Sequence, residues 1–271
     1  MSLLLTDRLE VTLAPTGVQL ARRGSWWRKR YADRVTLPCD TGSDARGWQN
    51  ALAVLQEALQ QPRWYRTPLA LTISDRLVHY QLLPWLPELG KPVERLGYAR
   101  FHFRQVYGAL ADDWEIRVDE AMPGMPAVAC ATDQALLADL SALTKATGVR
   151  IHGIYPNFAA VFNRVRSLLP TAPEEISVLA LLDSGGLCLG VLEGTRWRVL
   201  RQRSIMGRPA EALRDALEQE RLIADPAFGQ ATVYVMADAE IEGELPEMLG
   251  AMWTVRRLRL AGDLPERENR I

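Results

Sequence analysis

An aspartate, a serine and two glycines, Asp183-Ser184-Gly185-Gly186, separate two apolar runs in this sequence. Backbone amides in such a turn can cradle a phosphate, while the carboxylate orients water around a metal ion. Asp, Ser and Gly are also the residues a tight β-hairpin prefers, and a plain hairpin is the favoured reading. Other chemistry has less support. His79, His102 and His152 fall on different predicted elements with no Cys, Asp or Glu at ligand spacing, so no metal site is expected. Asp112-Asp113 and Glu174-Glu175 read as solvated caps in loops. There is no Gly-x-Ser-x-Gly elbow, and no catalytic residue is expected.

Two stretches could bind rather than react. Ser25 to Tyr31 reads SWWRKRY and sets Trp26 and Trp27 beside Arg28, a pattern suited to acidic headgroups or a partner's acidic tail. A hairpin with one indole packed inward is the favoured alternative. A helix predicted from Val93 to Tyr107 carries a core stripe of Leu96, Ala99, Phe103 and Val106 and a second apolar pair, Tyr98 and Phe101. It is either buried on two sides, which is favoured, or offers one side to a partner.

The elements around these residues alternate in period. Residues 8–75 read β-β-β-α-β, with Asp44 capping a helix that carries Trp48, Leu52, Leu55 and Leu59. Asp75-Arg76 reads as a break before the next strand. Residues 176–259 read β-β-β-α-β-α-β, a second copy of the same beginning. Between them lies an α-β-β-α segment from Pro92 to Gly148, its last helix capped by Thr132 or Asp133 and closed by Gly148. With 32 basic and 33 acidic side chains, bulk charge gives no support for nucleic-acid binding. Cys39, Cys130 and Cys188 read as reduced, buried small hydrophobes. No signal peptide or membrane-spanning run is found.

The order of elements, with LALLDSGGLCLGVLEGTRWRVLRQRSI opening the second copy, resembles the actin-like ATPase superfamily. More narrowly it resembles the PilM and GspL/MshI assembly proteins of type IV pili and type II secretion. PAVACATDQALLADLSALTKATGVRIHGIYPNFAAVFN is similar to that family's strand, helix, strand and connecting helix. The resemblance implies an α/β fold of two ribonuclease-H-like halves, 1–91 and 149–271, the latter beginning with a connecting strand and helix over 149–175. An inserted subdomain would occupy 92–148, and a second small subdomain would be missing.

The departures from nucleotide-using members are specific. Thr12 or Ala14 stands where an aspartate would orient magnesium waters, and Pro15 removes an amide. Ala237-Asp238-Ala239 replaces an adenosine-binding glycine pair, and Asn157 is a weak base at the connecting helix. The resemblance therefore implies a non-catalytic cytoplasmic scaffold with no cofactor, peripheral to the inner membrane through a partner. That partner would be the cytoplasmic segment of a single-span assembly protein, with an assembly ATPase as a second. In the resembled pilus protein such a peptide lies between the first core and the insert, a groove the Val93–Tyr107 helix would border. The alternative is a nucleotide-binding ATPase or switch using Asp183, Ser184, Gly185 and Gly186, with ATP and magnesium.

Overall fold

A computed structural model describes residues 8–23, 31–40, 46–183, 185–223, 228, 231–237, 239–249 and 252–259. The chain opens with β1 (Arg8–Ala14), β2 (Gly17–Arg23), β3 (Tyr31–Pro38), α1 (Gln49–Leu59) and β4 (Leu69–Ile73). Strict alternation in β1 sends Leu9, Val11 and Leu13 inward, the period-two pattern of a sheet covered on that face. After β4 come β5 (His79–Leu83), α2 (Pro92–Tyr107), β6 (Trp114–Val118), β7 (Ala127–Asp133), α3 (Gln134–Thr147), β8 (Ile151–Pro156) and α4 (Asn157–Val165). The remainder is β9 (Ile176–Leu182), β10 (Gly186–Glu193), β11 (Arg196–Ser204), α5 (Pro209–Ile223), β12 (Thr232–Ala237), α6 (Ala239–Leu249) and β13 (Thr254–Arg257).

The two copies read from the sequence build the same sheet twice. The first has strand order β3-β2-β1-β4-β8 and the second β11-β10-β9-β12-β13. In each, three antiparallel strands are followed by two that run parallel to the first. β9 is buried almost throughout, as befits a central strand with both faces covered. One core runs through both halves: Leu71 and Phe158 share it with Leu181 and Cys188. A second core lies beneath α5 and α6, around Val233, Leu213 and Leu217.

The insert differs from the expected α-β-β-α segment. Its antiparallel sheet has the order β5-β7-β6, so it recruits His79 to Leu83 from before the boundary expected at residue 92. α3 in turn packs against the first half, where Leu136, Leu140 and Leu143 join the main core. The sequence pattern of a strand names its period but not the strand it will pair with. α3 is framed as expected: the Asp133 carboxylate accepts from the Ala135 amide at 2.7 Å, and Gly148 closes it with φ of +66°.

α2 corrects a second expectation. Ala99 and Phe103 are buried against β6 and β7, but Val106 is exposed, and so is Phe101. The helix is therefore not buried on two sides. α1 starts at Gln49 with Trp48 at its cap position, and Asp44 lies outside the described residues. Cys188 is buried, whereas Cys39 and Cys130 are only partly so. Among the described residues no helix is long and apolar enough to cross a membrane.

Candidate functional site

Parallel strands β1 and β4 end at a cleft between the two halves, facing the β9–β10 turn. The cleft has a volume of about 500 Å³ and is lined by Thr12, Ala14, Gly17, Asp75, Asn157, Asp183 and Ala237, among others. This is where the sequence would put a phosphate. The β9–β10 turn is closed on itself. The Asp183 carboxylate accepts from the Gly185 amide at 2.8 Å, and the Asp183 amide donates to the Gly186 carbonyl at 3.0 Å. Ser184 lies outside the described residues.

The space above the two glycines belongs to Arg76. A Cβ placed on Gly185 would stand 2.8 Å from Arg76 Nη1, and one on Gly186 would stand 3.3 Å from Arg76 Cγ. Gly at these positions therefore admits an arginine side chain from the first half, lying across the turn that a phosphate would have to reach. Asn157 is likewise committed elsewhere, donating to Asp75 Oδ2 at 3.1 Å.

Asp75 and Arg76 read in the sequence as a simple break between strands. In the structure Asp75 is a junction of three parts of the molecule. Its Oδ1 accepts from Tyr80 Oη of the insert at 2.5 Å and from the Phe158 amide at the start of α4 at 2.8 Å. Its backbone carbonyl accepts from Gln202 on β11 of the second half. Burial pushes its carboxyl up to about 6, against the pull of the Tyr80, Phe158 and Asn157 hydrogen bonds, and the charge of Asp183 adds to the rise. The signal that could have exposed it is the aspartate directly after an apolar strand that ends at the cleft.

A larger groove lies elsewhere, between the first half and the insert. Its volume is about 830 Å³. Ile73, Leu137, Leu140, Val149, Ile151 and Ile154 give it an aliphatic lining, and Glu115, Arg117, Lys145 and Arg150 supply its charge. β8 is the edge of the first sheet and β6 the edge of the small one, so two strand edges bound the groove. Such an edge presents unpaired backbone groups to an incoming strand.

The other residues singled out in the sequence stand apart from it. α2 contributes nothing to the groove lining: Tyr98 packs partly against the insert core and edge-on to His102 at 4.6 Å, and Phe101 is exposed. α2 therefore does not border the groove, because Ala99 and Phe103 seat it against the insert's own core. Trp26, Trp27 and Arg28 lie outside the described residues. Among the described residues no group of three His, Cys, Asp or Glu side chains could hold a metal ion.

No family model and no curated protein matches this sequence. Solved structures do. The PilM–PilN type IV pilus biogenesis complex aligns with a TM-score of 0.66 at 13% identity, over 94% of this chain and 88% of that one. A Bacteroides thetaiotaomicron protein with an actin-like ATPase fold and unknown function aligns at 0.64 and 10% identity, over 96% and 93%. The cytoplasmic domain of EpsL, an inner membrane component of the Vibrio cholerae type II secretion system, aligns at 0.58 and 11% identity, over 94% and 91%. The chain has the actin-like ATPase fold.

Proposed function

We propose that this chain is a non-catalytic scaffold of a type IV pilus or type II secretion assembly platform. Its groove between the first half and the insert receives an extended cytoplasmic segment of a membrane-anchored partner. The observation that carries this reading is the groove itself, about 830 Å³ with an aliphatic lining and two strand edges along it. An extended peptide can add its backbone to the β8 edge and lodge alternate side chains on that lining. The scaffold would sit on the cytoplasmic side of the inner membrane. Phe101, exposed on α2, is a place for a second partner such as an assembly ATPase.

The likeness to the PilM–PilN complex and to the EpsL cytoplasmic domain supports the type of machinery, at identities that speak for the fold. Calorimetric titration with the cytoplasmic peptide of a single-span assembly protein encoded beside this chain tests the reading. One-site binding is expected, and absence of heat with every such peptide of its own assembly system would sink it.

A nucleotide-dependent switch is the second reading, favoured by the remaining cleft of about 500 Å³ beside Asp183. It fares worse because Asp183 already holds the Gly185 amide and Asn157 is taken by Asp75. Thermal denaturation should be unchanged by millimolar Mg-ATP, whereas a bound site near hundredfold saturation would add about 2.7 kcal/mol.

A further inference from the structure

The end of the first half opposite the cleft is basic and aromatic. The strands β1, β4 and β8 all begin there, tied by the Leu9 amide to the Pro68 carbonyl and the Leu69 amide to the Arg150 carbonyl, both at 3.0 Å. The loop from α1 to β4 crosses this end and carries Arg63, Trp64, Tyr65 and Arg66. Trp64 is fully buried, and its ring is flanked by the guanidinium groups of Arg63 at 5.1 Å and Arg22 at 5.6 Å. Arg22 also donates to the Arg63 carbonyl. Arg66 lies 5.3 Å over the ring of Tyr65, which is 55% exposed. Gly148 turns the chain from α3 into β8 beside Arg66, whose Nε would stand 3.8 Å from a Cβ on that glycine. That turn brings Lys145 and Arg150 to the same end, both exposed.

Among the described residues, no ion pair involves Arg22, Arg63, Arg66, Lys145 or Arg150, while Arg8 nearby is taken by Glu10 at 3.3 Å. In a chain of net charge −1 this is a local concentration rather than a general basicity. Arg22, Arg63 and Arg66 are braced by aromatic rings, so their orientation is set before any partner arrives.

We infer that Arg22, Arg63, Tyr65, Arg66, Lys145 and Arg150 form a surface that rests on an anionic lipid bilayer. Neither the groove nor the cleft is lined by Arg63, Tyr65 or Arg66, so this end presents spread charge rather than a slot for a peptide. Spread cations with an interfacial tyrosine match a plane of phosphate headgroups better than one acidic chain. Lys145 and Arg150 belong to both this surface and the groove, so contact with the bilayer would hold the groove's rim near it. That orientation serves the peptide-binding reading, while the lipid contact stands without it.

Cosedimentation of the full chain with vesicles tests the inference. Binding is expected to equal parts phosphatidylethanolamine and phosphatidylglycerol, to weaken as salt rises, and to be absent from phosphatidylcholine. The double variant Arg63→Glu/Arg66→Glu should reduce anionic-vesicle binding at least about tenfold, each reversal changing the local charge by two. Both residues are exposed and outside the groove lining, so the variant should keep wild-type melting and wild-type peptide affinity in solution. Should it melt early, Arg63→Gln alone must still show a smaller loss. Failure of wild type to bind anionic vesicles, or equal binding to phosphatidylcholine, would overturn the lipid surface. Only loss of peptide binding bears on the scaffold reading.

Discussion

Between pH 2 and pH 7 the wild-type chain should lose about 3 kcal/mol of stability relative to an Asp75→Asn variant. Folded Asp75 holds its proton up to about 6, whereas the unfolded chain releases it near the ordinary 3.8. Across that interval the folded state binds the extra proton, so raising the pH favours unfolding. The contribution is complete below 3.8 and gone once the pH passes about 6. The cause is burial, which penalises the ionised carboxylate more than three hydrogen bonds repay. Asparagine keeps an oxygen for Tyr80 and Phe158 but has no charge to desolvate. Urea titrations of both proteins across this range isolate the effect, since all other carboxylates are shared. Parallel pH curves would show that Asp75 titrates as it does in the unfolded chain.

The second large effect concerns the groove. Ser141 is exposed on α3 and lines the groove wall. Ser141→Trp should weaken binding of the partner peptide about a hundredfold, or about 2.7 kcal/mol, by placing an indole where the peptide must lie. A surface change of this kind leaves folding stability within about 0.5 kcal/mol. Ser141→Ala removes only a hydroxyl and should bind as wild type. The three proteins are compared by fluorescence anisotropy with labelled peptide. Equal affinity for Ser141→Trp would move the peptide out of this groove.

Much of the architecture was legible because it is written in local periods and caps. The β9–β10 turn, the α3 cap at Asp133 and the stop at Gly148 depend on neighbours a few residues away, and each stands where the sequence put it. The duplicated strand order was readable for the same reason. What escaped depends on partners far along the chain. Nothing near His79 says that β5 will join β7 rather than the first sheet, and nothing near Val106 says that its side of α2 stays uncovered. Asp75 and Arg76 look like turn residues until Asn157, Phe158 and Gly185 arrive from more than eighty residues away. The groove draws on four strands and a helix and has no contiguous signature.

The β9–β10 turn follows the same logic. Gly185 and Gly186 are turn residues in the sequence, and in the structure the absence of a Cβ also admits an arginine from the other half. Asp183 is spent on its own turn. The cleft holds a junction that ties the first half, the insert and the second half together through Asp75, Tyr80, Phe158 and Gln202.

Hydrogen exchange on the full chain, with and without the cytoplasmic peptide of its membrane-anchored partner, tests the scaffold most directly. Slowed exchange is predicted along β8, from Ile151 to Tyr155, and along the β6 edge, with the turns at Pro15–Gly17 and Asp183–Gly186 unchanged by peptide or by Mg-ATP. Protection confined to those two turns on adding Mg-ATP, with β8 exchanging as before when peptide is present, would contradict it.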